Sequence, residues 1–390
     1  MRQKIYQVVE QALHAIAQEK QLELTKLPSF VVERPKIEEH GDFSTNAALA
    51  LAKFFTTEGK PNPRKLAEEL QKKIGGAEGF LLGPPEIAGP GYLNFKLSPK
   101  VWWKVLQEIG EQKDKFGTSP KRTSPLDVVN LEFVSANPTG PMHVGHGRGA
   151  AYGDSLARIM SAAGFDVTRE YYINDRGNQA GLLGQSVHIR YKDLLGEPVT
   201  LPAEIKGKAQ WYQGAYVIDI AKAFKAQHGE SFANREYTEN IVEFKSFGIT
   251  AMLQLIKEDL AAFGVSFDVY SSELALYDRG EVHKTLSALE EKGRAFEGDG
   301  ALWFRTPNEQ SKDGEEIEGR VLRKQSGDLT YFATDIAYHQ DKFDRGFTHL
   351  IDIWGADHHG YIPRMKEAMS ALGKRPEDLE VLLVQFVTLN

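Results

Sequence analysis

Apolar residues recur every three or four positions near the start of the chain, and this spacing predicts an amphipathic helix over residues 2–19. Two more helices are predicted, one over the alanine- and leucine-rich residues 47–55 and one from Asn62-Pro63 to about Ile74. Residues 92–97 alternate between polar and apolar, which predicts a half-buried strand, and Ser98-Pro99 opens another helix. These elements predict a compact α+β domain over residues 1–112.

A polar segment with two prolines, residues 113–125, is predicted to be a linker. The apolar run 128–134 follows and predicts a strand, which prolines and a glycine break before the pattern becomes helical from Gly145. Residues 165–172 predict a second strand, so the order strand, helix, strand predicts a parallel βαβ unit. Residues 126–390 are therefore predicted to form an α/β domain around this unit.

The remainder of this domain is predicted from weaker patterns. Residues from about 185 to 296 are mostly long helical segments that hold no catalytic constellation. The later strands are predicted at 301–304, 321–324, 349–354 and 381–387, with one helix around 336–343 and another ending at Met369. The acidic run 315–318 is predicted to be a solvated loop.

The composition, with 390 residues of which 41% are hydrophobic and 26% charged, is that of an ordinary globular protein. A formal net charge of −7 means that any contact with RNA would need local basic patches. Cysteine is absent, which excludes disulfides, thiolate zinc sites and thiol nucleophiles. No apolar run could span a bilayer, and the first residues lack the apolar core of a signal peptide, so a cytoplasmic protein is predicted.

The turn between the first strand and helix of the βαβ unit suits a nucleotide. The free N–H groups and the dipole at a helix start favour phosphate. Gly145, Gly147 and Gly149 lack a Cβ and admit a ligand close to the backbone, while His143 and His146 can both donate to phosphate oxygens. The spacing fits neither a P-loop nor GxGxxG. A nucleotide-binding corner of another kind is predicted.

Eleven residues at this corner, Ala136–His146, read ANPTGPMHVGH. They resemble the HIGH signature of class I aminoacyl-tRNA synthetases, in the form carried by bacterial arginyl-tRNA synthetases. The resemblance implies a Rossmann-like parallel sheet with a helical insertion at about 185–296, preceded by the small α+β domain. It also implies an arginine–tRNA ligase, which uses ATP and Mg²⁺ to convert L-arginine to arginyl-adenylate and transfers the arginyl group to the 3′ end of tRNA(Arg).

The resemblance assigns eight residues to ATP, with His143 and His146 as the catalytic pair. They are Pro138, Gly140, His143, Gly145, His146, Gly355, Asp357 and His358. Gly355-Ala356-Asp357 follows a predicted strand and resembles the GxD turn of class I synthetases, where the acid bonds the ribose hydroxyls. An alternative from another class is a hydrolytic zinc site of these histidines and Asp357, but no tight ligand spacing and no HExxH supports it. No metal-binding residue is therefore predicted.

An arginine pocket needs carboxylates in bidentate geometry beside an aromatic or hydroxyl neighbour. Glu132 interrupts an apolar strand, where a carboxylate without a partner is costly. The patterns EFxxxN and YxxxD match the arginine pocket of the family, so the resemblance assigns arginine to Glu132, Ser135, Asn137, Tyr331 and Asp335. Without the resemblance, Asp335 would be a helix N-cap and Glu132 the partner of an internal basic residue.

Residues 39–53 and 89–97 resemble the N-terminal domain of the same family, which contacts the tRNA elbow at its D-loop. The resemblance makes Tyr92, Asn94 and Phe95 candidates for contact with RNA, since an exposed aromatic beside an amide can hold a splayed base. The alternative places Phe95 in the core and Asn94 on the solvent face of the strand.

Residues 172–179 read YINDRGNQ and resemble a segment that lies beside the active site in the family. They offer Asp175, Asn178 and Gln179 to ATP or to the terminal adenosine of tRNA. Capping of the next helix is the alternative for Asp175 and Asn178.

The resemblance covers residues 1–390, whereas the KMSKS loop and the helical anticodon-binding domain of the family would follow Asn390 and are absent from this sequence. The alternative to a catalytic protein is therefore a truncated fragment that binds tRNA or nucleotide without turnover. The predicted partners are tRNA(Arg), L-arginine and ATP, with no membrane, and the protein is predicted to be a monomer.

Overall fold

The computed structural model describes most of the chain. The described residues are 1–22, 28–56, 59–76, 79–124, 127–199, 201–202, 204, 210–306, 319–385 and 387. Within the predicted elements, Pro125 of the linker, the acidic run 315–318 and Phe386 of the last strand lie outside this set. The chain divides into two compact units, Met1–Gly117 and Thr118–Asn390.

Among its described residues, the first unit packs four α-helices and a small antiparallel sheet around one core. The helices are α1 (Arg2–Glu19), α2 (Ala47–Phe55), α3 (Pro63–Ile74) and α4 (Pro99–Gln112). The strands are β1 (Val32–Glu33), β2 (Phe43–Thr45), β3 (Glu86–Ala88) and β4 (Tyr92–Phe95), in the spatial order β1-β2-β4-β3. The predicted helices are confirmed, and at α3 the Asn62 side chain accepts from the Lys65 N–H, as an N-cap does.

The second unit is built on a parallel sheet of five strands. These are β5 (Val128–Glu132), β6 (Asp166–Ile173), β7 (Val269–Ser272), β11 (His349–Gly355) and β12 (Leu379–Val384). Their spatial order is β12-β11-β5-β6-β7. Strands β5 and β6 pair in parallel on either side of helix α5 (Val144–Ala162) in sequence, which confirms the predicted βαβ unit. The chain leaves β5 toward β6 and later returns to β11 on its other side, so the topological switch point lies between β5 and β11.

Helices and a second sheet complete this unit. The helices are α6 (Asn178–Leu195), α7 (Ala215–His228), α8 (Ile241–Ala262), α9 (Glu273–Asp278), α10 (Glu281–Glu291), α11 (Tyr331–Asp344) and α12 (Ile362–Ala371). The antiparallel strands are β8 (Ala295–Gly298), β9 (Ala301–Arg305) and β10 (Gly319–Arg323). Strand β7 was not predicted and lies inside the range predicted to be mostly helical. Its residues, Val-Tyr-Ser-Ser, are too few and too polar to give a strand pattern.

Helix α5 approaches the central sheet through small side chains. Ala150, Gly153 and Ala157 are buried on this face. A Cβ added at Gly153 would lie 2.2 Å from Cγ and 2.7 Å from Cβ of Phe133, a ring that is itself fully buried. The absence of a side chain at Gly153 is therefore what lets the helix lie against the segment that follows β5.

We expect Gly153→Ala to destabilise the second unit by roughly 1–3 kcal/mol, because overpacking forces the Phe133 ring or the helix to move. The matched control is Gly147→Ala in the same helix, where an added Cβ meets nothing within 4 Å. That control should stabilise by roughly 0.5–1 kcal/mol, since alanine favours helix more than glycine. Urea denaturation of both variants measures the two effects, and equal shifts in the same direction would contradict this packing.

In the described part of the chain, no helix combines the length and apolar character needed to cross a membrane.

Candidate active site

A cleft opens at the carboxyl ends of β5 and β11, at the switch point where ligands collect in open parallel sheets. It consists of two adjoining cavities of about 430 and 250 Å³, here called the outer cavity and the inner cavity. Their common wall is formed by Val134, Ser135, Ile353, Trp354, Gly355 and His358. The outer cavity adds Asn137, Gly145 and His146, whereas the inner cavity adds Glu132 and Asp335. The cleft thus brings the predicted nucleotide corner and the predicted arginine carboxylates together.

The backbone of this common wall is strained. Val134 and Ser135 have φ angles of 69° and 40°, in the left-handed region that a β-branched residue such as valine rarely adopts. The Ser135 hydroxyl holds the turn, because it accepts from the Tyr172 N–H at 3.1 Å and donates to Glu132 Oε1 at 2.9 Å. The Tyr171 hydroxyl donates to the Ala136 carbonyl at 2.8 Å. Ser135 therefore connects the turn to the pocket carboxylate.

The two imidazoles of the HVGH motif stack at the start of α5, with ring centroids 3.8 Å apart. His143 Nδ1 accepts from the Gly145 N–H, and His146 Nδ1 accepts from the His143 N–H, both at 3.2 Å. Since Nδ1 is an acceptor in each ring, a neutral ring carries its proton on Nε2 and can donate it to a ligand. Burial, together with the neighbouring His143, lowers the pKa of His146. The pair can therefore serve as two Nε2–H donors.

The other residues predicted for ATP differ in the cavity that they line. Gly355 ends β11 and lines both cavities. Asp357 lies instead on a third cavity of about 620 Å³, which His358 and Asp335 also line. Pro138 is buried, and a Cβ added at Gly140 would lie 3.6 Å from the Tyr216 hydroxyl. Neither residue lines the outer or the inner cavity.

The inner cavity holds the two predicted arginine carboxylates. The Tyr361 hydroxyl donates to Asp335 Oδ2 at 2.7 Å. Burial raises the pKa of the Asp335 carboxyl to about 6, although the Tyr361 hydroxyl and His339 act against this shift. Helix α11 is capped by Thr330, whose hydroxyl accepts from the Ala333 N–H, so the alternative of Asp335 as an N-cap is wrong.

Two other residues predicted for arginine, Tyr331 and Asn137, line cavities next to the inner cavity. Tyr331 is 66% exposed and lines the third cavity together with Asp335. Asn137 lines the outer cavity and donates from Nδ2 to Gln179 Oε1 at 2.9 Å. Gln179 thereby supports a residue of the cleft.

Beneath the inner cavity lies a buried ionic cluster that sequence analysis did not find. The Lys342 side chain, which is fully buried, places Nζ 2.6 Å from Glu132 Oε2 and 3.0 Å from Asp352 Oδ1. The alternative that gave Glu132 an internal basic partner is thus correct, and Glu132 also faces the pocket. The sequence did contain a sign of this cluster, because Asp352 interrupts an apolar strand just as Glu132 does, and a buried acid needs a partner.

His339 completes this cluster as an imidazolium. Its Nε2 lies 2.6 Å from Asp352 Oδ2, and its Nδ1 lies 2.7 Å from the Asp335 carbonyl oxygen. A carboxylate and a carbonyl both accept, so both ring nitrogens donate. Burial favours the neutral ring, yet Asp352 raises the pKa of His339 above its ordinary value. Burial also opposes the charge of Asp352, but Lys342 and His339 hold the pKa of that carboxyl well below its usual range.

Two further residues of the site were missed, Glu273 and Tyr172. Glu273 begins α9, is buried and lines the third cavity beside Tyr331 and Asp335. Burial raises the pKa of its carboxyl. Burial, together with the negative charges of Glu273 and Asp335, raises the pKa of Tyr172, which lines the inner cavity. Glu273 was not predicted because it directly follows β7, a short polar strand that the sequence pattern does not indicate.

The predicted adenosine contacts at residues 175–179 fall at the carboxyl end of β6. Asp175 Oδ2 accepts from the Ser272 hydroxyl at 2.6 Å and Oδ1 from the Leu274 N–H at 2.9 Å. This carboxylate therefore joins β6 to the start of α9, and the alternative that it caps the next helix, α6, is wrong. Helix α6 begins at Asn178, after Gly177, and Asn178 lies on a cavity of about 510 Å³ that Arg176, Lys324 and Tyr331 also line.

In the first unit, the three residues predicted to contact RNA differ in exposure. Tyr92 is 42% exposed, but Phe95 is 1% and Asn94 4% exposed. The expectation of exposed side chains at Asn94 and Phe95 is therefore wrong, as is the alternative of Asn94 on a solvent face. Phe95 packs in the core of the first unit, as the alternative predicted, whereas Asn94 lies on the opposite face of β4 and is covered because this inner strand places Ser44 and Glu86 beside it.

Metal chemistry has little support among the protein's own side chains. Within the described ranges, no group of three or more His, Asp or Glu side chains converges on a point that could hold a metal ion. The zinc hypothesis, which needed His143, His146, Asp357 and a neighbouring histidine, therefore has no coordination site there. A Mg²⁺ ion would enter with the phosphates of a nucleotide, since Mg²⁺ keeps most of its waters and binds few protein groups.

The chain matches two family models and many curated proteins. Residues 3–97 match the arginyl tRNA synthetase N terminal domain, and residues 106–387 match the catalytic domain of class I (R) tRNA synthetases. It is 46% identical to the arginine–tRNA ligase of Syntrophotalea carbinolica and 43% identical to that of Desulfosudis oleivorans, in each case over all of this chain and 67% of the relative. The chain thus spans about two thirds of the length of these relatives.

A solved structure supports the fold. The Thermus thermophilus arginyl-tRNA synthetase superposes with a TM-score of 0.66 over 99% of this chain and 66% of that one, at 23% identity. The predicted fold class, an α/β protein of the class I synthetase type, is confirmed by the parallel sheet and by this similarity. The catalytic-domain match covers most of the chain and the curated relatives cover all of it. The chain therefore belongs to the arginyl-tRNA synthetase family of class I aminoacyl-tRNA synthetases.

Proposed function

We propose that this chain carries the arginine-activating centre of an arginine–tRNA ligase, which joins L-arginine to tRNA(Arg) at the expense of ATP. The observation that carries the proposal is the pair of adjoining cavities. The outer cavity is lined by a helix start with His146, which suits phosphates, and the inner cavity is lined by Glu132 and Asp335, which suit a guanidinium. Their common wall would hold the two substrates side by side.

In this mechanism the arginine carboxylate attacks the α-phosphate of ATP in line with the leaving pyrophosphate, giving arginyl-adenylate. The chain contributes alignment and electrostatic stabilisation. Asp335 and Glu132 would fix the guanidinium, Asn137 the amino acid backbone, and His143 with His146 would donate from Nε2 to the phosphate oxygens. Mg²⁺ would neutralise part of the pyrophosphate charge. A ribose hydroxyl at the 3′ end of tRNA then attacks the carbonyl carbon of arginyl-adenylate, which forms the ester and releases AMP, with no covalent enzyme intermediate.

The remaining expectations complete the proposal. The first unit would contact the tRNA elbow, with Tyr92 as its exposed aromatic contact. Asn178 and Gln179 would lie near the terminal adenosine. The enzyme would act in the cytoplasm, where translation uses charged tRNA, and as a monomer.

The test is ATP–pyrophosphate exchange in the presence of tRNA(Arg), run with each of the standard amino acids in turn. Arginine alone should support exchange. A protein that binds ATP and tRNA(Arg) in equilibrium assays but gives no exchange with arginine would instead be the truncated binding fragment. Exchange with a different amino acid would reject the arginine pocket.

The affinity for arginine should depend on pH through Asp335. Because burial raises the pKa of this carboxyl to about 6, it is ionised above that pH and protonated below it. Only the ionised form attracts the guanidinium, so the dissociation constant for arginine should rise about tenfold per pH unit below 6 and stay level above it. Calorimetric titration between pH 5 and pH 8 measures this, and the Asp335→Asn variant should lose the dependence. A level profile in the unmodified chain would contradict the role of Asp335.

A further inference from the structure

The buried cluster beneath the inner cavity contains equal numbers of negative and positive groups. Two carboxylates, Glu132 and Asp352, lie against two cations, Lys342 and the imidazolium of His339. The four formal charges cancel. Glu132 lines the pocket as a carboxylate whose negative charge is balanced by the Lys342 ammonium on the side away from the cavity. Asp335 instead accepts a hydrogen bond from a neutral group, the Tyr361 hydroxyl.

The geometry also divides the two oxygens of Glu132. Oε2 receives the Lys342 ammonium at 2.6 Å, while Oε1 receives the Ser135 hydroxyl at 2.9 Å on the wall of the cleft. Lys342 is itself immobilised by Asp352 at 3.0 Å and lies 4.5 Å from the centre of the Tyr338 ring. A carboxylate anchored through one oxygen to a fully buried ammonium loses its rotational freedom, so a ligand need not supply that ordering.

We propose that Lys342 is a positioning residue for arginine, which locks Glu132 in one orientation and balances its charge, so that Asp335 is left as the carboxylate that attracts the guanidinium. This inference rests on the proposed arginine pocket. It gives Glu132 a directional role, through hydrogen bonding from a fixed site, and gives Asp335 the long-range electrostatic role. Lys342 itself does not contact the substrate.

The interaction is a strong one on general grounds, because a hydrogen bond to a charged group in a buried site is among the most costly to remove. With the ammonium gone, Glu132 would be free to rotate, and its orientation toward the pocket would be lost. The outer cavity would keep its shape, since Lys342 does not line it. Binding of arginine and binding of ATP should thus respond differently.

The experiment measures calorimetric affinities of the chain for L-arginine and, separately, for ATP. Lys342→Met should weaken arginine binding by roughly ten- to a hundredfold and leave ATP binding within about twofold. In a Glu132→Gln background, where the carboxylate is already absent, the same substitution should cause almost no further loss. An effect on arginine of equal size in both backgrounds would overturn the proposal, because Lys342 would then not act through Glu132.

A second variant guards against misfolding. Lys342→Met leaves an uncompensated carboxylate, whereas Lys342→Met combined with Glu132→Gln keeps one negative charge, on Asp352, paired with one positive charge, on His339. This charge-balanced variant should fold, as thermal melting would show, and should still bind arginine at least about tenfold more weakly. Arginine binding equal to that of the unmodified chain would overturn the proposal.

The matched control is Lys192→Met in α6. Lys192 is also a buried lysine, paired with Glu197 and Glu236 at 3.7 and 3.6 Å, but it lies on neither cavity of the cleft. The Lys192→Met variant should lose some stability and keep its affinity for arginine.

If the unmodified chain binds no arginine at all, the proposed function fails. If it binds arginine and Lys342→Met binds equally well, only the role of Lys342 fails.

Discussion

Asp335→Asn is expected to weaken the binding of arginine by roughly a hundredfold, because the substitution removes the negative charge that is proposed to attract the guanidinium, on a carboxylate hydrogen-bonded by the neutral Tyr361 hydroxyl. The same change should stabilise the folded chain at pH 7.5. Burial raises the pKa of this carboxyl from 3.8 to about 6, so the folded state favours the protonated form. The stability that this group contributes is present at low pH and is lost as the pH rises through 6. Asparagine avoids that cost, worth roughly 1–3 kcal/mol.

The two effects have opposite signs, which makes this substitution diagnostic. Calorimetry with L-arginine measures the first and urea denaturation at pH 7.5 the second. The control is Asp344→Asn on the same helix, where the carboxylate is exposed and pairs with Lys284 at 3.6 Å. It should change the stability by less than about 0.5 kcal/mol and leave arginine binding unaltered. An Asp335→Asn variant that binds arginine normally would place the guanidinium elsewhere.

His146→Ala is expected to slow arginine-dependent ATP–pyrophosphate exchange by roughly a hundred- to a thousandfold, because it removes a preorganised donor at the position where phosphate charge develops. The affinity for arginine should stay the same, since His146 lines the outer cavity and the arginine carboxylates line the inner one. Exchange kinetics in the presence of tRNA(Arg), with calorimetry for arginine, separate the two quantities.

The control for this substitution is His349→Ala. His349 begins β11, at the end of the strand opposite Gly355, and lies 3.7 Å from Glu380. Its removal should leave the exchange rate within about twofold of the original, as for a surface ion pair. If the His146 variant lost arginine binding together with exchange, the imidazole would hold the pocket together and would have no separate role toward phosphate.

The local features of the chain were predictable because they depend on neighbours in sequence. The stripe of α1, the Asn62-Pro63 start of α3 and the strand–turn–helix around HVGH all follow from spacings of a few residues. The family could be named for the same reason, since its signature is one continuous stretch. The burial of Asn94 could not be predicted in this way, because it depends on which strands pair on either side of β4.

The candidate site shows the same division. Sequence alone determined the residue types of the site: two imidazoles at a glycine-rich helix start, and acids that interrupt or follow apolar strands. Only the tertiary structure decided their partners, because Glu132 meets Lys342 across 210 positions of sequence and Asp352 meets His339 from a neighbouring element. Hydrophobic periodicity shows that a position is buried, but the pairing of buried charges is a property of packed elements. A buried charge is tolerated only where the fold brings its counterion to it.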